Sequence, residues 1–144
     1  MDKVDIGGTQ RLTFGDLRRD PGGQVLAMTV TVELESLTAR REVAASYVSG
    51  FADLAGFFTS LLENWRGWNG ARTYESIEHD LLLEAAHTGS HVELRFTLQD
   101  PQFHDVWSVR GKLTLDAGEE LTRAGEDIQE LFSPIAVLGN GPQS

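Results

Sequence analysis

Residues Ser49–Leu83 read SGFADLAGFFTSLLENWRGWNGARTYESIEHDLLL, and the hydrophobic period changes once along them. In the first half Phe51, Leu54, Phe58, Leu61 and Trp65 recur every three or four positions, and Ala55, Phe57 and Leu62 widen the stripe. That is the period of a helix burying one broad face. Ser49 stands where an N-cap is favoured, and Asp53 falls in the first turn, where the helix dipole favours negative charge. Gly67 reads as a left-handed stop and Gly70 gives the chain room to reverse. Beyond the glycines the period drops to two. Ile77, Leu81, Leu83 and Ala85 share one parity, and Ser76, Glu78, Asp80 and Glu84 share the other. Alternation over Tyr74–Ala86 predicts a half-buried strand with an acidic wet face. The parity of His79 turns it inward, to the core margin.

Working outward, the segments before the helix are also strands. Val4–Ile6 suits an edge strand. Thr9–Leu17 alternates weakly through Leu12 and Phe14. After the turn Arg18–Gly23, the run Gln24–Leu34 alternates cleanly, with Leu26, Met28, Val30, Val32 and Leu34 on one side. Leu37–Val48 is a weaker strand, interrupted by Arg40, Arg41 and Glu42. After the central stretch, Gly89 supplies the hairpin turn to a strand carrying Val92, Leu94, Phe96 and Leu98. A loop over Gln99–Asp105, containing Pro101, leads to a last strand through Trp107, Val109, Gly111, Leu113 and Leu115. Asp116 and Glu119 have capping-box spacing before a second amphipathic helix through Leu121, Ala124, Ile128, Leu131 and Phe132, which Pro134 closes. Strands then helix, twice over, is a loose βββα duplication. The expected fold is α+β: an antiparallel sheet of about six strands with both helices packed on one face. The expected organisation is a single domain over 1–133 and a C-terminal tail over 134–144 that docks briefly through Ile135 and Leu138.

Composition narrows the function. The chain has 144 residues, 40% hydrophobic and 24% charged, which suits one soluble globular domain. It has no cysteine, so disulfides, thiolate chemistry and all-cysteine metal sites are excluded. No apolar run reaches membrane-spanning length, and MDKVDIGGTQ lacks the apolar centre of a signal peptide, so a cytoplasmic address is expected. The net charge is −10 and uneven: residues 1–69 carry 7 basic and 9 acidic side chains, residues 70–144 carry 5 and 13. Nucleic acid and anionic membranes want the opposite sign, whereas a basic protein would be steered toward this surface.

Chemistry-bearing patterns are sparse. No G-x-S-x-G elbow, dinucleotide-binding glycine motif or P-loop occurs, so neither a catalytic residue nor a cofactor is assigned. His87 and His91 flank a turn, but a zinc site needs a third and fourth ligand, and no metal ligand is assigned. Glu78 and Asp80 share a parity, and nothing marks either as a proton donor. Trp68 lies past the helix, either as an amphipathic lid on the core or, with Arg66, as a binding anchor.

The succession WRGWNG (65–70), ESIEHDL (75–81) and GSHVELRFTL (89–98), then a tryptophan-bearing strand and an acidic helix, resembles a family of small uncharacterised bacterial proteins with a WRGWxG…ESxE pattern. The resemblance covers roughly Phe51–Phe132 and implies no catalytic residue. The order of elements also looks like that of immunity proteins that neutralise polymorphic bacterial toxins. The function expected is therefore a non-enzymatic, acidic binding protein for a basic partner such as a cognate toxin. Its contact residues are expected to be Arg66, Trp68, Glu78, Asp80 and Glu84. A small-ligand binder or enzyme built on the Trp68–Glu78 region, and a homo-oligomeric scaffold pairing through a strand edge, are the competing readings.

Overall fold

The computed structural model describes residues 2–100 and 106–133. Pro134 and the tail over 134–144 lie outside the described residues, as do Pro101 and His104 of the loop before the last strand. The first unit is a meander of β1 (Lys3–Gly7), β2 (Arg11–Arg19), β3 (Val25–Leu34) and β4 (Leu37–Ala44), followed by α1 (Ala52–Glu63). The second is β5 (Ala71–Glu75), β6 (Leu81–Thr88), β7 (His91–Gln99) and β8 (Ser108–Asp116), followed by α2 (Glu119–Phe132). Each meander is its own four-stranded sheet in chain order, and every pairing is antiparallel. The duplication is ββββα twice, and one sheet of about six strands is replaced by two of four.

One segment adds a strand to the expected count. The alternating run Tyr74–Ala86 is not a single strand. Ser76–Asp80 is a turn between β5 and β6, closed by the Ser76 N–H on the Leu81 carbonyl and the His79 N–H on the Ser76 carbonyl, both at 2.9 Å. His79 takes a left-handed φ of 64° there. Ser76 Oγ accepts the N–H groups of Asp80 (3.0 Å) and Leu81 (2.9 Å), which is how a serine competes a strand into a turn. The turn exposes Ile77 and His79 rather than burying them.

Each sheet has one dry face. In the first, Val4, Ile6, Leu12, Phe14, Val30 and Val32 alternate inward; in the second, Leu83, Leu94, Phe96, Leu98, Leu113 and Leu115 do. A bulge in β2 at Asp16–Leu17 shifts the register against β3. Beyond it Ala27 and Met28 are buried in succession while Leu26 is exposed, against its parity. The helices fill the space between the dry faces. Phe58 of α1 meets Phe14 of β2 edge-on at 6.4 Å, Phe57 meets Tyr74 of β5 at 6.3 Å, and Phe51 stacks on Phe132 of α2 at 5.2 Å. The two helices touch at Gly125, where an added Cβ would stand 3.2 Å from Leu62 Cδ2 and 3.7 Å from the Phe58 carbonyl. Gly111 is needed for a similar reason, because the Phe96 ring occupies the place of its missing side chain.

The helix termini differ from the sequence expectation in detail. Ser49 is not the cap: α1 begins at Ala52, and the Ala52 N–H bonds the Ser49 carbonyl at 3.1 Å. The helix ends at Asn64, so Trp65 leaves the stripe and is 44% exposed. At α2 the Asp116 carboxylate accepts the N–H groups of Gly118 and Glu119, and the partner that reaches back to the Asp116 N–H is Glu120 rather than Glu119. Phe58 is fully buried between the sheets. Phe58→Ala should cost about 3–5 kcal/mol in urea melts, and a loss under about 1 kcal/mol would contradict this packing.

Candidate functional site

Asp80 is not a surface carboxylate. It is 0% exposed, at the end of the β5–β6 turn. Its Oδ1 accepts the Ser76 hydroxyl at 2.6 Å and its Oδ2 accepts Arg41 Nε at 2.8 Å. Arg41 Nη1 lies 3.7 Å from Asp100 as well. A buried charge persists only when it is paired and hydrogen-bonded, and Asp80 is both. Arg41 pairs in register with Val30, so it points to the dry side of the first sheet, which is why it breaks the alternation of its strand. The ion pair clasps β4 to the β5–β6 turn across 39 positions of chain. The Ser76 hydroxyl is fully used, donating once and accepting twice, which leaves it no free proton or lone pair for nucleophilic work. Tyr74 nearby has its phenol held above its ordinary range, first by burial and then by the charges of Asp53 and Asp80, so it stays protonated.

Trp68 is the lid. It is half-buried, its indole N–H donates to the Ala85 carbonyl at 3.3 Å, and His87 meets its ring edge-on at 5.2 Å. Arg72 lies over the ring at 5.0 Å while donating to the hydroxyl (2.6 Å) and carbonyl (3.0 Å) of Ser60 on α1. His87 Nε2 holds the Trp65 carbonyl at 2.7 Å. These contacts seal the α1–β5 connection. Arg66 does not accompany Trp68; its guanidinium sits 5.1 Å over the exposed Trp65 ring.

The five expected contact residues therefore do not share one surface. Arg66 and Trp68 adjoin the His87 end of β6. Glu78 is exposed in the turn at the Leu81 end, Asp80 is buried there, and Glu84 stands in mid-strand on the outer face of the sheet. Eight residues of strand, about 26 Å at 3.3 Å each, lie between the two ends. Trp68 packs near the His87 end of β6 and Glu78 stands in the turn before its Leu81 end. His87 and His91 belong to adjacent register pairs, His87 with Val92 and His91 with Thr88, and so stand on opposite faces. Among the described residues no group of three or more His, Asp or Glu is placed to hold a metal ion. Also among them, no helix is long and apolar enough to cross a membrane.

The charge and aromatic anchors gather elsewhere, along α2. Its exposed side carries Glu119, Glu120, Glu126 and Glu130, with Asp127 half-buried, against the one cation Arg123, which pairs with Glu119 at 2.9 Å. No basic residue stands in the last turn, where the dipole would favour one. A shallow cleft at the start of α2 is lined by Trp65, Arg66 and Asp116–Gly118. A cleft at its end is lined by Gln129, Phe132, Tyr47 and Val48. Tyr47 and Val48 are 91% and 90% exposed on a tight loop. That loop is closed by reciprocal Ser46–Gly50 backbone bonds of 3.0 Å and held by Gln24 Nε2 on the Tyr47 carbonyl at 2.7 Å. Sequence reading placed these two residues at the end of a strand. The Ser-Tyr-Val-Ser-Gly composition of residues 46–50 was the available signal for a loop.

The Arg41–Asp80 clasp makes a direct prediction. Arg41→Ala should leave a buried carboxylate unpaired and cost about 3–5 kcal/mol by chemical denaturation. A cost under about 1 kcal/mol would show that the pair carries no structural weight.

Comparison with known proteins gives family membership and no activity. No curated protein matches the chain. Residues 4–134 match the family of unknown function DUF6228, which takes in both meanders and both helices, and the chain belongs to that family.

Proposed function

We propose that this protein is a non-enzymatic binding protein for a basic protein partner, most specifically an immunity-type protein that neutralises a basic toxin. The observation that carries the reading is the surface of α2. Exposed carboxylates run along about 21 Å of helix, at 1.5 Å per residue, between Trp65 at its start and Tyr47 at its end. Aromatic side chains with one apolar face are the residues that most often anchor a protein interface, and a field of one sign speeds the encounter with its opposite. Glu130 stands in the last turn, at the negative end of the helix dipole, an arrangement that helix stability alone disfavours, and Glu126 and Asp127 lie one turn before it. α2 alone carries half of the −8 balance of residues 70–144, five carboxylates against one cation, whereas β6 itself carries only Glu84.

The experiment is capture from the native host with the purified chain, followed by kinetics on the captured protein. The captured protein should be basic, and purified chain should abolish its toxicity. Glu126→Lys with Glu130→Lys should slow association, and added salt should slow the parent, because the Debye length falls from about 10 Å at 0.1 M to about 3 Å at 1 M. Glu130→Lys, in the last turn, should add about 0.3–1 kcal/mol of stability, and a thermal melt of the double variant no lower than the parent's excludes unfolding as the cause of slower association. Trp65→Ala should act on dissociation. Unchanged association in the reversed variant would overturn the reading.

A further inference from the structure

The wet face of the β5–β8 sheet, the side away from both helices, carries an open groove of about 580 Å³ that crosses all four strands. Its floor is one cross-strand row, Tyr74, Leu83, Phe96 and Gly111; the first three turn their side chains into the core and Gly111 has none, which leaves main chain facing outward. One wall is the row Thr73, Glu84, Arg95 and Lys112. The other is Glu75, Leu82, Thr97 and Arg110. The walls sort charge by strand: both carboxylates stand on β5 and β6, and all three cations stand on β7 and β8. Residues 70–144 hold only five cations, so three in one groove is a concentration.

The groove does not neutralise itself. Arg95 and Lys112 oppose each other directly across β7 and β8, a like-charge pairing that costs stability. Both lean on Glu93, at 3.4 and 3.8 Å, rather than on Glu84, which faces Arg95 in register from β6. Glu84 and Arg110 form no ion pair among the described residues. Four strands at about 4.8 Å spacing span about 14 Å, a length that an extended chain covers in four or five residues. We propose that this groove binds an extended segment of a partner protein, laid across the strands with an acidic side chain over β7–β8 and a basic one over β5–β6. The argument is charge complementarity at both ends of a bounded groove. It does not use the α2 surface and stands whether or not that surface binds a basic protein.

The test is titration of the full-length, isotope-labelled chain with short capped peptides, followed by amide shifts. Acetyl-Glu-Thr-Val-Thr-Lys-amide should move the amides of Thr73, Leu82, Thr97 and Arg110 saturably. The same peptide with Gln at both ends should bind about three- to tenfold more weakly, the scale expected when two exposed ion pairs are removed. Arg110→Glu with Lys112→Glu leaves Arg95 as the one cation against four carboxylates and so makes the groove predominantly acidic. It should lose the mixed peptide and gain a peptide with Lys at both ends, while unperturbed shifts elsewhere show that it is folded. Glu84→Gln, a milder change, should weaken the mixed peptide alone. The proposal is overturned if no peptide produces saturable shifts at these amides, if the Gln peptide binds as well as the mixed one, or if the charge-reversed variant keeps its preference.

Discussion

Each four-stranded meander has one dry face and no means of covering it alone. That constraint governs the rest of the molecule. The inner side chains of β1–β4 and of β5–β8 are nearly all apolar and buried, yet each unit supplies only one helix to cover them. Burial is completed by sharing. Phe58 of α1 reaches the first sheet at Phe14, and Phe57, one residue before it, reaches the second at Tyr74. At about 25 cal/mol for each Å² of apolar surface removed from water, a pair of sheets with exposed inner faces would be far from stable. Gly125 lets the helices come close enough for one core to serve both halves, and Arg41–Asp80 ties the sheets at the margin where apolar contact gives out.

The elements that sequence reading recovers are those whose logic is local. The three- and four-residue stripe of Phe51–Leu61 and the alternation of Val92–Leu98 state their structure within a few residues, and both form as expected. The Ser76–Asp80 turn does not. It contains no glycine or proline and keeps a false alternation. Its cause lies in Ser76 bonding to the backbone and in a partner, Arg41, that is far away in the chain. Misreading that turn merged β5 and β6 into one strand and placed Asp80 on a wet face when it is buried. Trp65 failed for a related reason. The apolar period runs on after the helix has stopped at Asn64, whose amide returns to the Ser60 carbonyl at 2.9 Å.

Charge was legible as a total and not as a pattern. The excess of carboxylates after residue 69 is evident from composition, but its location depends on which helix face is exposed and on strand register. Register places Glu84, Arg95 and Lys112 in one row, although they are separated by 11 and 17 positions in the chain. Because the helices occupy only the dry sides, the wet face of the second sheet and the outer side of α2 are both left open to solvent. The family match extends from within β1 to just past α2, so the shared core and the surfaces it frees are features of the chain that the family covers.

If one core serves both halves, neither half can open by itself. Native-state hydrogen exchange measures this directly. Amides of Val30 and Leu12 in the first sheet and of Leu83 and Phe96 in the second should exchange with a common free energy, equal to that of global unfolding, and should respond together to denaturant. Amides of one sheet exchanging at a free energy several kcal/mol below the other would show two independent units and contradict the account.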